Sequence, residues 1–257
     1  MSIMSLRCNY FTVLFAASFY FVTVNTLGID DWGRCKISAP INDLNDCLSK
    51  GVANMISSLK PGSTELGIQP FEPFQLSKMD LKSGQGSPVQ LEIILEDIQL
   101  IHITDITDVQ VDASKLPDMI MNIKVTVPAM NVTGKYDING RLLAVPVKGN
   151  GAVKMFMTGV HIVLAVKGKP LDKDGKKFWD IDYFKFTFMP TAAKLHYSNL
   201  FNGDKQLGDA TNKVLNDNWE LVFKEFQEPI STEFAKVALP IANTLGKLEP
   251  FDQMFPK

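Results

Sequence analysis

The side chains best suited to acid–base chemistry or metal ligation are His102, His161 and His196, and none has a partner at a catalytic spacing. Each lies in a strand-like stretch, where a lone histidine is normally a structural residue. A serine nucleophile would announce itself as Gly-x-Ser-x-Gly, a phosphate cradle as a Walker loop, a dinucleotide site as Gly-x-Gly-x-x-Gly and a zinc protease as His-Glu-x-x-His; the chain has none of these. Asp172 and Asp174 resemble the start of a calcium loop, but the third aspartate and the distal glutamate are missing, so a hairpin turn is expected there. Gly84-Gln85-Gly86 precedes no helix start and reads as a surface loop. The sequence therefore assigns no catalytic residue, no metal ligand set and no cofactor.

The chemistry that can be assigned is that of an oxidising compartment. Residues 1–27 read as a secretory signal peptide: Arg7, an apolar run over 10–24, then small or neutral residues before Asp30. That run falls short of the ~20 residues that cross a bilayer, and no later stretch is long and apolar enough, so no membrane span is expected. Of the three cysteines, Cys8 would leave with the leader, and Cys35 and Cys47 would then pair across a short loop. Such a loop is worth on the order of 3 kcal/mol by chain entropy. Two thiols without a nearby histidine do not complete a zinc site. Asn131-Val132-Thr133 is a glycosylation sequon, which gives Asn131 a candidate role in a secreted chain. The formal charge of −2, more negative still without Arg7, offers no basic excess for nucleic acid.

What remains is apolar surface in excess of obvious need. Only Met1 and Met4 of the eleven methionines fall in the leader. Pairs such as Met119/Met121 and Met155/Met157 sit at strand spacing, beside Phe184, Phe186, Phe188, Phe223 and Phe226. Methionine is flexible and polarisable and suits the wall of a cavity that adapts to a greasy guest. The same residues at the same periods also serve as plain core filling, and composition leaves both readings open.

The elements that would position them are legible from periodicity. Over 202–247 the residues Leu215, Trp219, Val222, Phe226, Ile230, Phe234, Val237, Ile241 and Leu245 form one stripe of a long helix, opposite Asn216, Lys224, Glu228, Ser231 and Lys236. Pro229 and Pro240 should bend it rather than end it. Such a stripe needs something extended to wrap it, unless the helix is broken into two or three shorter core helices. A second amphipathic helix is expected over 41–59, capped by Asn42 or Asp43 and stopped by Pro61-Gly62.

Between them, 66–76 reads as an extended proline-rich segment, and 89–197 as a meander of antiparallel strands. Leu91, Ile93 and Leu95 alternate with polar residues, with a break at Ile94. Met119, Met121, Ile123, Val125 and Val127 make the clearest half-buried strand. Asn139-Gly140 predicts a two-residue hairpin between strands at 132–138 and 142–147. Gly149-Asn150-Gly151 should open the next strand, and Asp172-Lys173-Asp174-Gly175 should turn it into the last. Those two strands look apolar on both faces: Met155, Met157 and Val163 against Phe156, Val160, Ile162 and Leu164, then Phe184, Phe186 and Phe188 against Trp179, Ile181 and Tyr183. An antiparallel strand has that pattern when both faces are covered. With no internal repeat and no linker, residues 28–257 read as a single α+β domain with its helices at the two ends.

Three stretches carry a resemblance. Cys35-Lys36 with Asn42-Asp43-Leu44-Asn45-Asp46-Cys47-Leu48, then Leu66-Gly67-Ile68-Gln69-Pro70-Phe71-Glu72-Pro73-Phe74, then Leu200-Phe201-Asn202-Gly203-Asp204-Lys205-Gln206-Leu207-Gly208 with Asn216-Asp217-Asn218-Trp219, are together similar to the takeout family of insects, relatives of the haemolymph juvenile-hormone-binding proteins. The ending Pro250-Phe251-Asp252-Gln253-Met254-Phe255-Pro256 resembles that family as well. The resemblance implies a strongly curved antiparallel sheet wrapped around the long C-terminal helix and enclosing an apolar tunnel, a TULIP-like fold.

It also implies a non-enzymatic, monomeric carrier secreted into haemolymph or sensory lymph, with a role in circadian, feeding or chemosensory signalling. Its partner would be one elongated hydrophobic ligand: juvenile hormone, another terpenoid, or a fatty-acid-like or quinone-like lipid. The expected lining is Met119, Met121, Ile123, Val125, Met155, Met157, Phe184, Phe186 and Phe188 from the strands, with Trp219, Val222, Phe223 and Phe226 from the helix. The hormone-binding relatives carry a second disulfide for which this chain has no cysteines, which places it nearer takeout. The alternative is a secreted signalling or interaction protein for which the lipid is structural filler.

Overall fold

The computed structural model describes residues 32–84 and 86–257; the expected leader, Cys8 and Gln85 lie outside them. The chain runs α1 (Ile41–Ser58), β1 (Phe74–Lys82), β2 (Val89–Ile101), β3 (Asp108–Asp112), β4 (Ile120–Leu142), β5 (Val145–Lys173), β6 (Lys176–Met189), β7 (Ala192–Tyr197), α2 (Lys205–Asp217), α3 (Trp219–Gly246) and α4 (Phe251–Met254). The seven strands make one antiparallel sheet along the path β1-β2-β4-β5-β6, with β3 beside β4 and β7 beside β5. The spine is the β4–β5 hairpin, whose strands of 23 and 29 residues are several times the usual length of about five or six. Half-way along it the neighbours change: β3 gives way to β2 beside β4, and β6 gives way to β7 beside β5.

The predicted hairpin at Asn139-Gly140 is not there. β4 runs straight through both residues, which pair with β2 on one side and β5 on the other, and the chain turns at Leu143-Ala144 instead. Gly140 is glycine for another reason: a side chain there would run into the backbone carbonyl of Gln90 on β2. Gly149 and Gly151 likewise lie inside β5, where Cβ atoms would come within 2.8 Å of the Leu200 Cα and 2.7 Å of the Ser198 carbonyl. The turn at Asp174-Gly175 does form, with both residues at positive φ as a tight hairpin requires.

The strands that read as apolar on both faces have one apolar face whose phase switches. In β5, Met155 and Met157 point inward, and so do Val160, Ile162 and Leu164, while Phe156 and Val163 are exposed. The switch falls at Gly159, held at φ +54, where a side chain would collide with Thr191. In β6 the switch falls where the register with β5 shifts between Lys167 and Gly168, so that Trp179, Ile181, Phe184, Phe186 and Phe188 face inward and Tyr183 faces out. In β2 it falls at the bulge around Asp97, and Ile94, the apparent break, is simply an exposed outward position. Bulges of this kind bend strands and increase their twist.

The expected long helix is two helices. At Asn218 both the backbone N–H and the side-chain amide donate to the Val214 carbonyl, at 3.1 and 2.8 Å, ending α2 before α3 begins. α3 then continues through Pro229 and Pro240 over 28 residues. α1 also differs in detail: Pro40 stands at its cap position, and Asn42 and Asp43 fall inside the first turn. The Cys35–Cys47 disulfide joins the preceding arm to this helix.

An unclosed sheet leaves edge N–H and C=O groups that must find partners. Helix side chains supply them. Asn216 of α2 accepts from the Leu195 N–H and donates to its carbonyl, both at 2.8 Å, and Asn212 does the same for Tyr197 at 2.8 and 2.9 Å. On α1, Ser49 and Asn45 accept from the backbone N–H groups of Val111 at 3.0 Å and Ala113 at 2.9 Å, along and just past β3. On α3, Asn243 and Ser231 accept from Ile181 at 3.1 Å and Phe186 at 3.3 Å, and Gln227 donates to the Phe188 carbonyl at 3.3 Å. Asn216 and Ser231, expected on a solvent-facing side, are therefore structural, and Ser231 is buried. Asn216→Leu should cost about 2 kcal/mol, because both Leu195 backbone groups lose their partner, whereas exposed Lys213→Leu should stay within about 0.5 kcal/mol; urea denaturation of the two variants measures the difference.

Candidate functional site

Between the concave face of the sheet and α3 lies a cavity of about 420 Å³. Every strand except β3 contributes to its wall. β1 and β2 supply Phe74, Leu76, Met79, Leu81, Ile93, Leu95, Ile98 and Leu100; β4 and β5 supply Met121, Ile123, Val125, Met130, Met155, Met157, Val160, Ile162 and Leu164. β6 adds the three alternating phenylalanines, and α3 closes the opposite side with Val222, Phe223, Phe226, Ile230, Phe234 and Ile241. Phe234 is the seam, stacked on Phe186 at 4.3 Å between ring centroids and set 5.8 Å from Phe74, so one helical side chain joins the two ends of the sheet.

Of the residues expected to line a tunnel, Met121, Ile123, Val125, Met155, Met157, Phe184, Phe186, Phe188, Val222, Phe223 and Phe226 are brought together on this wall. Met119 and Trp219 lie outside it. Met119 occupies a left-handed position ahead of β4, and its carbonyl accepts from Gly168 at 3.0 Å. Trp219 is the first residue of α3 and sits edge-on to Phe223, behind the lining rather than in it. Sequence reasoning missed the β1–β2 wall, the α1 contribution from Leu48, Val52 and Met55, and the terminal Met254 and Phe255. The alternation over 89–95 was the available signal for β2. The C-terminal pair had none, because a four-residue helix leaves no periodicity to detect.

Among the described residues, the lining contains no histidine, cysteine, serine or charged side chain. The lining residues with a polar side-chain atom are Thr104, Tyr197, Trp32 and Trp179, and the ring N–H groups of the two tryptophans are buried. Burial pushes the Tyr197 phenol well above the usual tyrosine range, and burial together with Asp137 raises Tyr136 to about 12, so both stay protonated at neutral pH. The Tyr136 hydroxyl donates to the Ser198 carbonyl at 2.5 Å and its ring meets Tyr197 edge-on.

The histidines stay apart. His161 and His196 are exposed on strands, and His102 lies on the turn after β2, its Nδ1 2.9 Å from Asp105. His102 and then Lys60 hold that carboxyl below the usual range. The described residues contain no cluster of three or more His, Cys, Asp or Glu side chains arranged to hold a metal. Asn131 is half-buried on the face of β4 turned away from the cavity, between inward-facing Met130 and Val132.

One seven-stranded sheet wrapped on one long helix around an apolar cavity defines a class of α+β protein. The family model for haemolymph juvenile hormone binding protein matches residues 12–256, and the chain belongs to that family. It is 27% identical over 260 residues to the circadian clock-controlled protein daywake of Drosophila melanogaster, covering 95% of this chain and 99% of that one. The Drosophila yakuba daywake is 25% identical over 228 residues, covering 86% of each. The crystal structure of Epiphyas postvittana Takeout 1 superposes with a TM-score of 0.74 at 21% identity, over 87% of this chain and 99% of that one, and it shares the fold. No helix among the described residues is long and apolar enough to cross a membrane.

The inward and outward positions of β5 give a direct check on the wall. Ile162→Asp places a carboxylate among apolar groups and should cost about 3 kcal/mol or more, while the neighbouring Val163→Asp on the exposed face should cost about 0.5 kcal/mol or less. Comparing the thermal unfolding of the two variants decides the assignment.

Proposed function

We propose that the protein is a secreted, non-enzymatic carrier that encloses one elongated hydrophobic ligand in the cavity between the sheet and α3. The observation that carries this reading is a continuous, uncharged apolar cavity of about 420 Å³ between the sheet and α3. At roughly 24 cal/mol per Å³, holding open a void of that size costs on the order of 10 kcal/mol, comparable with the whole net stability of a domain. A lipid-sized guest offsets that cost by covering the wall, at about 25 cal/mol for each Å² of apolar surface it buries.

Terpenoids such as juvenile hormone, quinone-like lipids and fatty-acid-like lipids are the ligand classes that fit such a wall, and the family description, haemolymph juvenile hormone binding protein, supports the first of them. Residues 28–257 act as one carrier domain, preceded by a leader over 1–27, working as a monomer in haemolymph or sensory lymph with any glycan at Asn131 on the outer face. The daywake relatives support a role in a clock-linked signal.

Native mass spectrometry of the secreted protein, followed by denaturation and identification of what is released, should give one small lipid per chain. Protein that is lipid-free, fully stable and still active in signalling would overturn the carrier reading in favour of a surface-acting partner protein. Met157→Trp should fill part of the cavity and weaken binding of the released lipid about tenfold or more, with Phe156→Trp, one residue away on the exposed face, leaving it unchanged. Equal affinities in the two folded variants would remove β5 from the binding wall.

A further inference from the structure

On the outer face of the sheet Phe156 stands among polar neighbours. It points away from the cavity between inward-facing Met155 and Met157, and 46% of it is exposed. The next outward residues of β5 are Lys154 and Thr158, and its partner on β7 is Lys194. A single exposed apolar residue is ordinary on a protein surface. What distinguishes this one is its partner on the other side: Phe156 is in register with Asn131 of β4, the acceptor of the Asn131-Val132-Thr133 sequon. Residues directly opposed on antiparallel strands hold their Cβ atoms about 4.5–5.5 Å apart, so their side chains lie together on one face.

Asn131 is open to attachment. The extended backbone puts Asn131 and Thr133 on the outer face, with Val132 between them turned into the cavity wall. Among the described residues no hydrogen bond engages the Asn131 carboxamide, and neither of its polar atoms is sealed from solvent. Ile101, which flanks Asn131 from β2, is half-buried and offers less surface than Phe156.

Resting on the secreted reading above, we infer that Asn131 carries an N-linked glycan whose first N-acetylglucosamine lies on the Phe156 ring. In the transfer, Asn131 Nδ2 forms a bond to C1 of the sugar and loses one proton, and a polyprenyl diphosphate leaves. The donor meets the chain as it enters the secretory compartment, before β4 and β5 pair, so a place inside a strand is no barrier. Once the sheet has formed, the C–H face of the sugar covers apolar ring surface that water would otherwise meet. Phe156 is thus the protein's seat for its own first sugar.

The test is run on full-length protein secreted from cells held at the high-mannose stage and trimmed with endoglycosidase H, which leaves one N-acetylglucosamine. Intact mass should show that sugar on the wild-type protein and none on Asn131→Gln. The single sugar should raise Tm by about 2–4 °C over Asn131→Gln, and by less than about 1 °C when both proteins also carry Phe156→Thr, which keeps a strand-forming side chain without the ring. Proton NMR gives an independent readout: ring current should move protons of the attached sugar upfield of free N-acetylglucosamine, and Phe156→Thr should abolish the shift. Equal stabilisation with and without the ring, or unshifted sugar protons, overturns the contact. Secreted protein with no sugar on Asn131 overturns the inference and leaves the carrier reading in place, whereas protein that never leaves the cell overturns the secreted reading and this one with it.

Discussion

The structure depends on one constraint: a sheet that curls without closing must satisfy the backbone of its free edges, and along β3, β6 and β7 this chain does so with helices. Asn212 and Asn216 are four residues apart on α2 and reach β7 residues two apart, Tyr197 and Leu195. The helical rise over one turn, about 5.4 Å, approximates the spacing of alternate strand residues, about 6.6 Å, so two carboxamides on one helix face imitate a neighbouring strand. Asn45 and Ser49, also four apart, repeat the device along β3, and Ser231 with Asn243 and Gln227 does so along β6. Each helix is thereby fixed in rotation as well as position, because a turn about its axis would uncouple the amides. The apolar face of α3 is consequently aimed at the cavity by hydrogen bonds on its flank.

Curvature follows from a second device. A strand in strict alternation would expose its apolar residues as soon as the sheet coiled away from the core. β5 answers with Gly159, which shifts its inward set by one residue, and β6 with the register shift opposite Lys167 and Gly168, so that both strands keep a single apolar face around the bend. The first shift falls where β6 hands over to β7, with Thr191 between them donating its N–H to the Thr158 carbonyl at 2.9 Å. Bend, change of neighbour and change of phase thus coincide at one level of the spine.

These two devices also account for what the amino-acid order disclosed and what it did not. The helical stripe over 222–245 was readable because its period survives any tertiary context, and the 35–47 pairing was readable because only those two cysteines lie outside the expected leader. The α+β class and the wrapped topology came with the resemblance to takeout proteins, carried by motifs spread along the chain. The faces of β5 and β6 were not readable: a one-residue phase shift makes a one-faced strand look two-faced, and a glycine that permits the shift looks like any other. Asn139-Gly140 misled for a related reason, since glycine demanded by close backbone approach and glycine demanded by a turn are identical in sequence. Asn216 and Ser231 were placed on the polar side of their helices because no local pattern distinguishes a polar residue facing water from one facing a strand edge.

The division between a stiff frame and a soft wall has a functional consequence. The edge amides and the aromatic seam at Phe234 fix where the wall stands, but much of its middle is methionine: Met130 is paired in register with Met157, and Met79, Met121 and Met155 lie on the same lining. An unbranched thioether changes rotamer cheaply, so this part of the cavity can follow the outline of a guest without moving the hydrogen-bonded frame. Apolar burial there gives affinity that grows with the area covered and discriminates little between tails of similar length.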